Sequence, residues 1–252
     1  MNYHLFISIC EGCKKEFDPV ELDADLEYCI DCQFARLTLD KPGTTVLSID
    51  IGVKHLAMVL TRVDNDYRFS DLLWTELFDI TAYHCLPNCQ LYHTNTLCDR
   101  IAHILHKTAY VFERADVVLL EQQPPQGLVA VEQMLFAAHR EKSVLVSPMA
   151  VQAHFGMRTL DYDQRKEYSV RLASRYLSPS FRHRVGGYVR QHDISDAILI
   201  TLYWCERERK EAERQRLESR RRAAMQKINK GLGMSLNDYF DRFRYIPTKN
   251  SC

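Results

Sequence analysis

The stretch Thr45-Val-Leu-Ser-Ile-Asp50-Ile-Gly52-Val-Lys54-His-Leu-Ala-Met-Val-Leu60 decides how the rest of the chain is read. Apolar, β-branched-rich residues lead to a lone carboxylate, a glycine follows two residues later, and a second apolar run begins. That is the pattern of two strands joined by a tight turn. Asp50 is the odd residue in it, because Asp is depleted in strands and its buried charge is costly unless a cation or hydrogen-bond donors face it. Gly52 suits the turn, and its missing side chain lets a phosphate or another backbone come close. Taken alone, Asp50 reads equally well as a structural residue capping that turn.

Two later stretches repeat the anomaly. Ala115-Asp-Val-Val-Leu-Leu-Glu121-Gln-Gln-Pro124-Pro125 is a buried-type strand that ends in a carboxylate and is terminated by prolines. A helix over 128–140 and an apolar strand over 143–147 complete a strand–helix–strand unit. Glu121 is therefore expected at the carboxyl end of a parallel strand, the edge where ligands gather in open α/β sheets. His192-Asp193-Ile-Ser-Asp196 opens an apolar helix, with the two Asp residues on one face of its first turn. In isolation such a pair only caps a helix and complements its dipole. A third strand within 67–80, centred on 72–78, would continue the first two as an antiparallel meander.

Together, Asp50, Glu121, Asp193 and Asp196 each stand at the end of an apolar element that one core can bring to a single spot. Four ionised carboxylates so placed would repel and raise one another's pKa unless cations lay between them. Two divalent ions balance the charge, oxygen-only ligands select Mg²⁺ or Mn²⁺, and such a pair suits phosphodiester cleavage.

Ser48-Ile-Asp50-Ile-Gly52-Val-Lys54, Leu119-Leu-Glu121-Gln-Gln-Pro124, Val146-Ser-Pro148, Arg165-Lys166-Glu-Tyr-Ser-Val170 and Asp193-Ile-Ser-Asp196 occur in one order. That ordered set resembles the Holliday junction resolvases of the RuvC-like, RNase H-like superfamily, and most of all those of poxviruses and related large DNA viruses, over about residues 44–205. The resemblance implies an RNase H-like mixed sheet, an antiparallel meander plus parallel strands, flanked by helices. It also implies a homodimer that cuts two opposed strands of a four-way DNA junction with two Mg²⁺ (or Mn²⁺) per active site. Asp50, Glu121, Asp193 and Asp196 match the acidic quartet of such enzymes. His192 stands behind these ligands, and Lys166 falls where these resolvases carry a basic residue near the scissile phosphate. Lys54 and Arg165 join Lys166 as expected DNA contacts. Between Arg158 and Arg190 eight basic side chains face three acidic ones, and a phosphate backbone is their natural counterpart, although a merely solvated face would look the same.

Outside that core the chain has two appendages. Cys10-Glu-Gly-Cys13 and Cys29-Ile-Asp-Cys32 have the spacing of a structural four-thiolate zinc site, holding one Zn²⁺. A module over 1–42 is too small to be stable without that ion, and its acidic surface favours docking on the core or on a protein partner over reading DNA. Asp40-Lys-Pro-Gly43 reads as the linker to a nuclease core at 43–205. Beyond it, 206–252 forms a basic tail whose helix continues from the core's last helix, either as a DNA-gripping arm or as an exposed arm laced by acid–base pairs. Cys85, Cys89, His93 and Cys98 lie on a loop, spaced loosely enough to suggest a second zinc site. Reduced, partly buried thiols are the better account of them in sequence terms, and a second metal there stays open.

The formal charge is zero, but 1–42 carries nine acidic and four basic side chains, and 206–252 seven and thirteen. The positive excess is thus collected where a polyanion can meet it. No apolar run has membrane-spanning length, and the first residues lack a secretory pattern, so an intracellular protein is expected. The rival readings are an RNase H-like nuclease acting on flaps or RNA–DNA hybrids, a sugar-kinase-like phosphotransferase sharing the Asp-x-Gly hairpin, and a non-catalytic zinc adaptor. With nine glycines, and Gly186-Gly187 the only adjacent pair, the chain is short of the phosphate loops a phosphotransferase needs.

Overall fold

The structure, a computed structural model, describes residues 42–85 and 89–232, with side chains to 226, and the backbone of 8–9 and 16–17. The zinc module expected from Cys10, Cys13, Cys29 and Cys32 lies outside the described residues. From that region come two short strands, β1 (Ser8–Ile9) and β2 (Glu16–Phe17), paired antiparallel. The chain divides into two units, residues 1–206 and 207–252.

The first unit is organised by β3 (Thr44–Ile51), β4 (His55–Val63) and β5 (Phe69–Asp79), an antiparallel meander. The β3–β4 turn closes through Gly52 N–H donating to the His55 carbonyl at 2.9 Å. A Cβ on Gly52 would meet that same oxygen at 3.0 Å, so the close approach that the glycine allows is to its own hairpin. After β5 come α1 (Leu97–Lys107) and α2 (Ala109–Arg114), then β6 (Val117–Glu121), α3 (Val129–Ala138) and β7 (Ser143–Val146). β6 and β7 add in parallel on the other side of β3, giving the sheet order β5-β4-β3-β6-β7. The expected mixed sheet is thus present. Helices α4 (Pro148–His154), α5 (Tyr162–Ala173), α6 (Pro179–Gly186) and α7 (Gln191–Leu232) follow.

Strand alternation sorts the core onto two faces. Leu47, Ile49 and Ile51 pack with Ile101 and Ile104 of α1, Phe112 of α2 and Leu135 of α3. Val46 of β3 and Leu119 of β6 pack instead with Ile194, Ala197 and Ile198 of α7 and with Val151 of α4. Ser48 shares the second face, and its hydroxyl hydrogen bonds to that of Thr201 on α7, both fully buried. This bond pins α7 to the central strand one residue pair below Asp50.

Two breaks divide the helical segments of this unit. Thr108 ends α1, its hydroxyl donating to the Ile104 carbonyl at 2.7 Å, and α2 starts immediately after it. The basic stretch 158–190 contains two helices, α5 and α6. Ser178-Pro179 starts the second, with Ser178 as the N-cap and proline where its missing N–H costs nothing. Among the described residues no helix is long and apolar enough to cross a membrane.

In the second unit the helical turns are exposed and joined by ion pairs, Arg214 to Glu211 at 2.8 Å and Arg222 to Glu218 at 4.0 Å. Leu217 and Met225 are both exposed, so among its described side chains this segment buries no apolar stripe.

Candidate active site

Parity of the strands aims the carboxylates. Asp50 is in step with Val46 and Ser48, and Glu121 is in step with Leu119, so both point to the α7 face. The parallel register of Ile49 with Leu120 sets the two strand ends side by side. The Ile51 N–H donates to Glu121 Oε2 at 3.3 Å. From above, the first turn of α7 brings Asp193 and Asp196, one helical turn apart. One carboxylate oxygen each from Asp50, Asp193 and Asp196 lies within 4.8 Å of the others, with Asp50 and Asp193 buried. Glu121 stands beside Asp50 and within hydrogen-bonding reach of it, but outside that trio.

The electrostatics of the cluster are those of a cation site. Burial, then the charges of Glu121 and Asp196, push the Asp50 carboxyl well above the usual carboxylate range. Burial also raises Glu121, against the hydrogen bond from Ile51 and with Asp196 adding to the rise. Gln123 Nε2 donates to Glu121 Oε2 at 3.0 Å and holds that side chain in place. Asp193 goes the other way: burial pushes it up, but the Arg190 hydrogen bond and the charges of Lys166 and His192 outweigh this and lower it. Arg190 Nε reaches Asp193 Oδ2 at 2.6 Å. Lys166 Nζ, from α5, sits 2.8 Å from Asp196 Oδ2 and 3.5 Å from Asp193 Oδ1. Burial lowers the lysine, but Asp196, Asp50 and Asp193 together raise it above its ordinary value. Its ammonium lies between two of the carboxylates, Asp193 and Asp196.

A cleft of about 530 Å³ opens over the carboxylates and is rimmed by Lys54, Arg165, Lys166 and Arg190. Lys54, at the β3–β4 turn, also pairs with Asp79 at 3.3 Å. Arg165 follows the Asp161–Gln164 capping box that starts α5 and donates to the Leu160 carbonyl at 2.8 Å. His192 Nε2 lies 3.1 Å from Asp193 Oδ1, out of line for a hydrogen bond, and is buried without another partner. Burial, and then Lys166, lower its pKa below the ordinary imidazole value.

The family described as Poxvirus A22 protein matches residues 44–208, most of the chain and all of the sheet just described. The chain belongs to that family. No single curated protein matches this A22-family chain in sequence. Among solved structures it is similar to a fowlpox virus resolvase in complex with Holliday junction DNA. That likeness has 17% identity and a TM-score of 0.48, over 65% of this chain and 97% of that one. The yeast mitochondrial Holliday junction resolvase Ydc2 gives 16% and 0.49, over 68% and 84%. Thermus thermophilus RuvC gives 14% and 0.42, over 66% and 97%. The family assignment stands on the sequence match, not on these likenesses.

Two residues of this A22-family site carry no role in the sequence reading. Gln123 orients Glu121, and Arg190 grips Asp193, yet each is a polar residue flanking an acidic one with no periodicity to mark it. The only signal was spacing: Arg190 sits three residues before Asp193, the separation at which side chains meet on a helix. Elsewhere in the unit, Cys85, Cys89 and His93 come together with His103, and Cys98 is not part of that cluster. Cys85 and Cys98 are exposed and Cys89 is half-buried, so the expected partly buried thiols hold for Cys89 alone of these three.

Proposed function

We propose that this chain is a structure-selective endonuclease that resolves four-way DNA junctions by divalent-metal-dependent phosphodiester hydrolysis. The observation that carries it is the convergence of Asp50, Asp193 and Asp196, with Glu121 alongside, in a basic-rimmed cleft of a chain that belongs to the A22 family. The donor set fits a hard ion, because every ligand is a carboxylate oxygen and Lys166 already supplies a positive charge among them.

Asp50, Asp193 and Asp196 would hold Mg²⁺ or Mn²⁺, with Glu121 placed to complete a second site. When bound, such ions polarise a phosphoryl oxygen and stabilise charge on attacking and leaving oxygens. The chain's own groups do the rest. Gln123 and the Ile51 N–H keep Glu121 aimed at Asp50, and Arg190 holds Asp193 in its rotamer. Lys54, Arg165 and Lys166 line the path along which a phosphate backbone would lie. Lys166 touches both Asp193 and Asp196 and faces the cleft, so it is the group that would position the scissile phosphate over them. A two-fold dimer of the chain would offer two such clefts to a two-fold junction.

The test is incubation of a labelled mobile four-way junction with purified protein, with and without Mg²⁺, beside flap and RNA–DNA hybrid substrates. Paired, ligatable nicks in the junction that require Mg²⁺ support the proposal. Preferential cutting of the hybrid or flap would transfer the same site to another nuclease reaction, and no Mg²⁺-dependent cutting of any substrate would leave a DNA-binding adaptor.

A further inference from the structure

We propose that Cys85, Cys89, His93 and His103 form a structural zinc site that fastens the β5–α1 loop to helix α1. Their ligand atoms all lie within 4.8 Å of one another. Cys85 Sγ is 3.1 Å from His93 Nε2, which is itself 3.1 Å from His103 Nε2. With Zn–S near 2.3 Å and Zn–N near 2.0–2.1 Å, the edges of a tetrahedral site run to about 3.3–3.8 Å. Small side-chain rotations take this cluster to those distances.

The orientation of the rings points to an ion more than to a hydrogen-bonded cluster. His103 Nδ1 lies 2.6 Å from the Asp99 carbonyl, which can only accept. The proton therefore sits on Nδ1, and Nε2 presents its lone pair to the cluster, the arrangement that orients metal-bound imidazoles. His93 Nε2 faces that lone pair on one side and the Cys85 sulfur on the other. A single N–H can be aimed squarely at one of them, whereas a cation shared by the four atoms satisfies all of them. Two sulfurs and two imidazoles form the set that selects Zn²⁺. Binding would release the two thiol protons, and two thiolates then neutralise the ion, so the centre adds no net charge beside the buried His103.

The loop needs such a fastening. The described residues between Asp79 and Leu97 include no helix or strand, and connections of that length are uncommon in a compact core. Both imidazoles already pack on one ring, Tyr83, with centroids 4.9 and 5.0 Å away. The Tyr83 hydroxyl accepts the Asn95 N–H at 2.6 Å, and Asn95 adopts a left-handed backbone with φ 62°. Loop and helix are thus shaped around the four ligands. Cys98 plays no part: it lies five residues before His103, about 140° away around the helix.

Zinc content of the full-length protein, measured by mass spectrometry of the metal, should fall by one ion per chain in the Cys85→Ser/Cys89→Ser double variant. It should stay unchanged in Cys98→Ser. An unchanged zinc count in the double variant overturns the site. If that variant precipitates, the wild-type chain decides the matter. Brief iodoacetamide treatment followed by peptide mapping should modify Cys98 at once, but Cys85 and Cys89 only after a zinc chelator is added. Cys85 modified as fast as Cys98 without chelator also overturns it. Neither readout depends on the nuclease activity, so the site stands or falls apart from it.

Discussion

Two groups of ligand-type side chains occupy the same unit and are built on opposite plans. The carboxylates project from the ends of two core strands and the first turn of a core helix, on the α7 face of the sheet. The sulfur and imidazole ligands hang on a loop, with a single buried member, His103, on the helix of the other face. The first group is mutually repulsive and is held by the core in spite of that repulsion, the mark of a site kept for chemistry. In the second, an ion would contribute order to a segment that has little of its own. The difference predicts that ion removal should disable one site and loosen the other.

The sharpest way to break the comparison is to take the charge from the first group. Asp50→Asn or Glu121→Gln should lower junction cleavage by about a thousandfold or more, since several kcal/mol of electrostatic stabilisation would go, at 1.36 kcal/mol per tenfold in rate. Junction binding, measured by mobility shift, should stay within a few-fold. Cleavage at the wild-type rate by either variant would remove those residues from the mechanism. A smaller change comes from Lys166→Gln. The ammonium competes with a metal ion for Asp193 and Asp196, so the Mg²⁺ concentration for half-maximal activity should drop. Maximal turnover should also drop, by about ten- to a hundredfold, because the phosphate would lose its positioning charge. A variant that needs more Mg²⁺ than the wild type would show that Lys166 does not stand in for the ion.

The contrast also explains what could be read without coordinates. The sheet and the acidic cluster were legible because each carboxylate interrupts an apolar run of fixed period, and period translates directly into face. The order of Asp50, Glu121 and Asp193 along the chain then followed from strand and helix ends. His103 was hidden for the same reason. It sits between Ile101 and Ile104 on the buried side of an amphipathic helix, where a lone polar residue looks like an ordinary core substitution. Chain spacing drew attention to Cys98, which a helix turns away from the loop cysteines. The α1–α2 break was equally silent, since Thr108 is neither glycine nor proline. Ser178-Pro179 carries the ordinary signature of a helix start, an N-cap hydroxyl followed by proline, inside a stretch otherwise marked by its charge.

Chelation followed by selective return of ions separates the two groups in one experiment. After removal of all divalent ions, Mg²⁺ alone should restore cleavage but leave the melting temperature lowered, and Zn²⁺ should restore the melting temperature. If Zn²⁺ is held at a hundred times its dissociation constant, linkage gives about 2.7 kcal/mol, or roughly 5–10 °C for a chain of this size. The part of this shift that belongs to the loop is the part missing from Cys85→Ser/Cys89→Ser. An equal shift in that variant would assign all of it to other ligands.

The smallest effect concerns protons. Burial and the neighbouring carboxylates raise the Asp50 carboxyl well above its ordinary 3.8. A group raised in this way binds more protons folded than unfolded, so its stabilisation is fully present below about pH 3.8 and is lost as pH climbs through the folded value. Asp193, lowered by Arg190 and Lys166 against its burial, has the opposite sign and stabilises the fold above the ordinary range. In chelator, then, urea melts taken at rising pH should show a loss of stability that Asp50→Asn removes and Arg190→Gln does not. Added Mg²⁺ should flatten the wild-type profile as the variant does, because an ion would take the place of the proton that the raised Asp50 carboxyl retains. A wild-type slope that neither Asp50→Asn nor Mg²⁺ alters would mean that Lys166 already neutralises the cluster, and the repulsion separating the two ligand groups would then be absent.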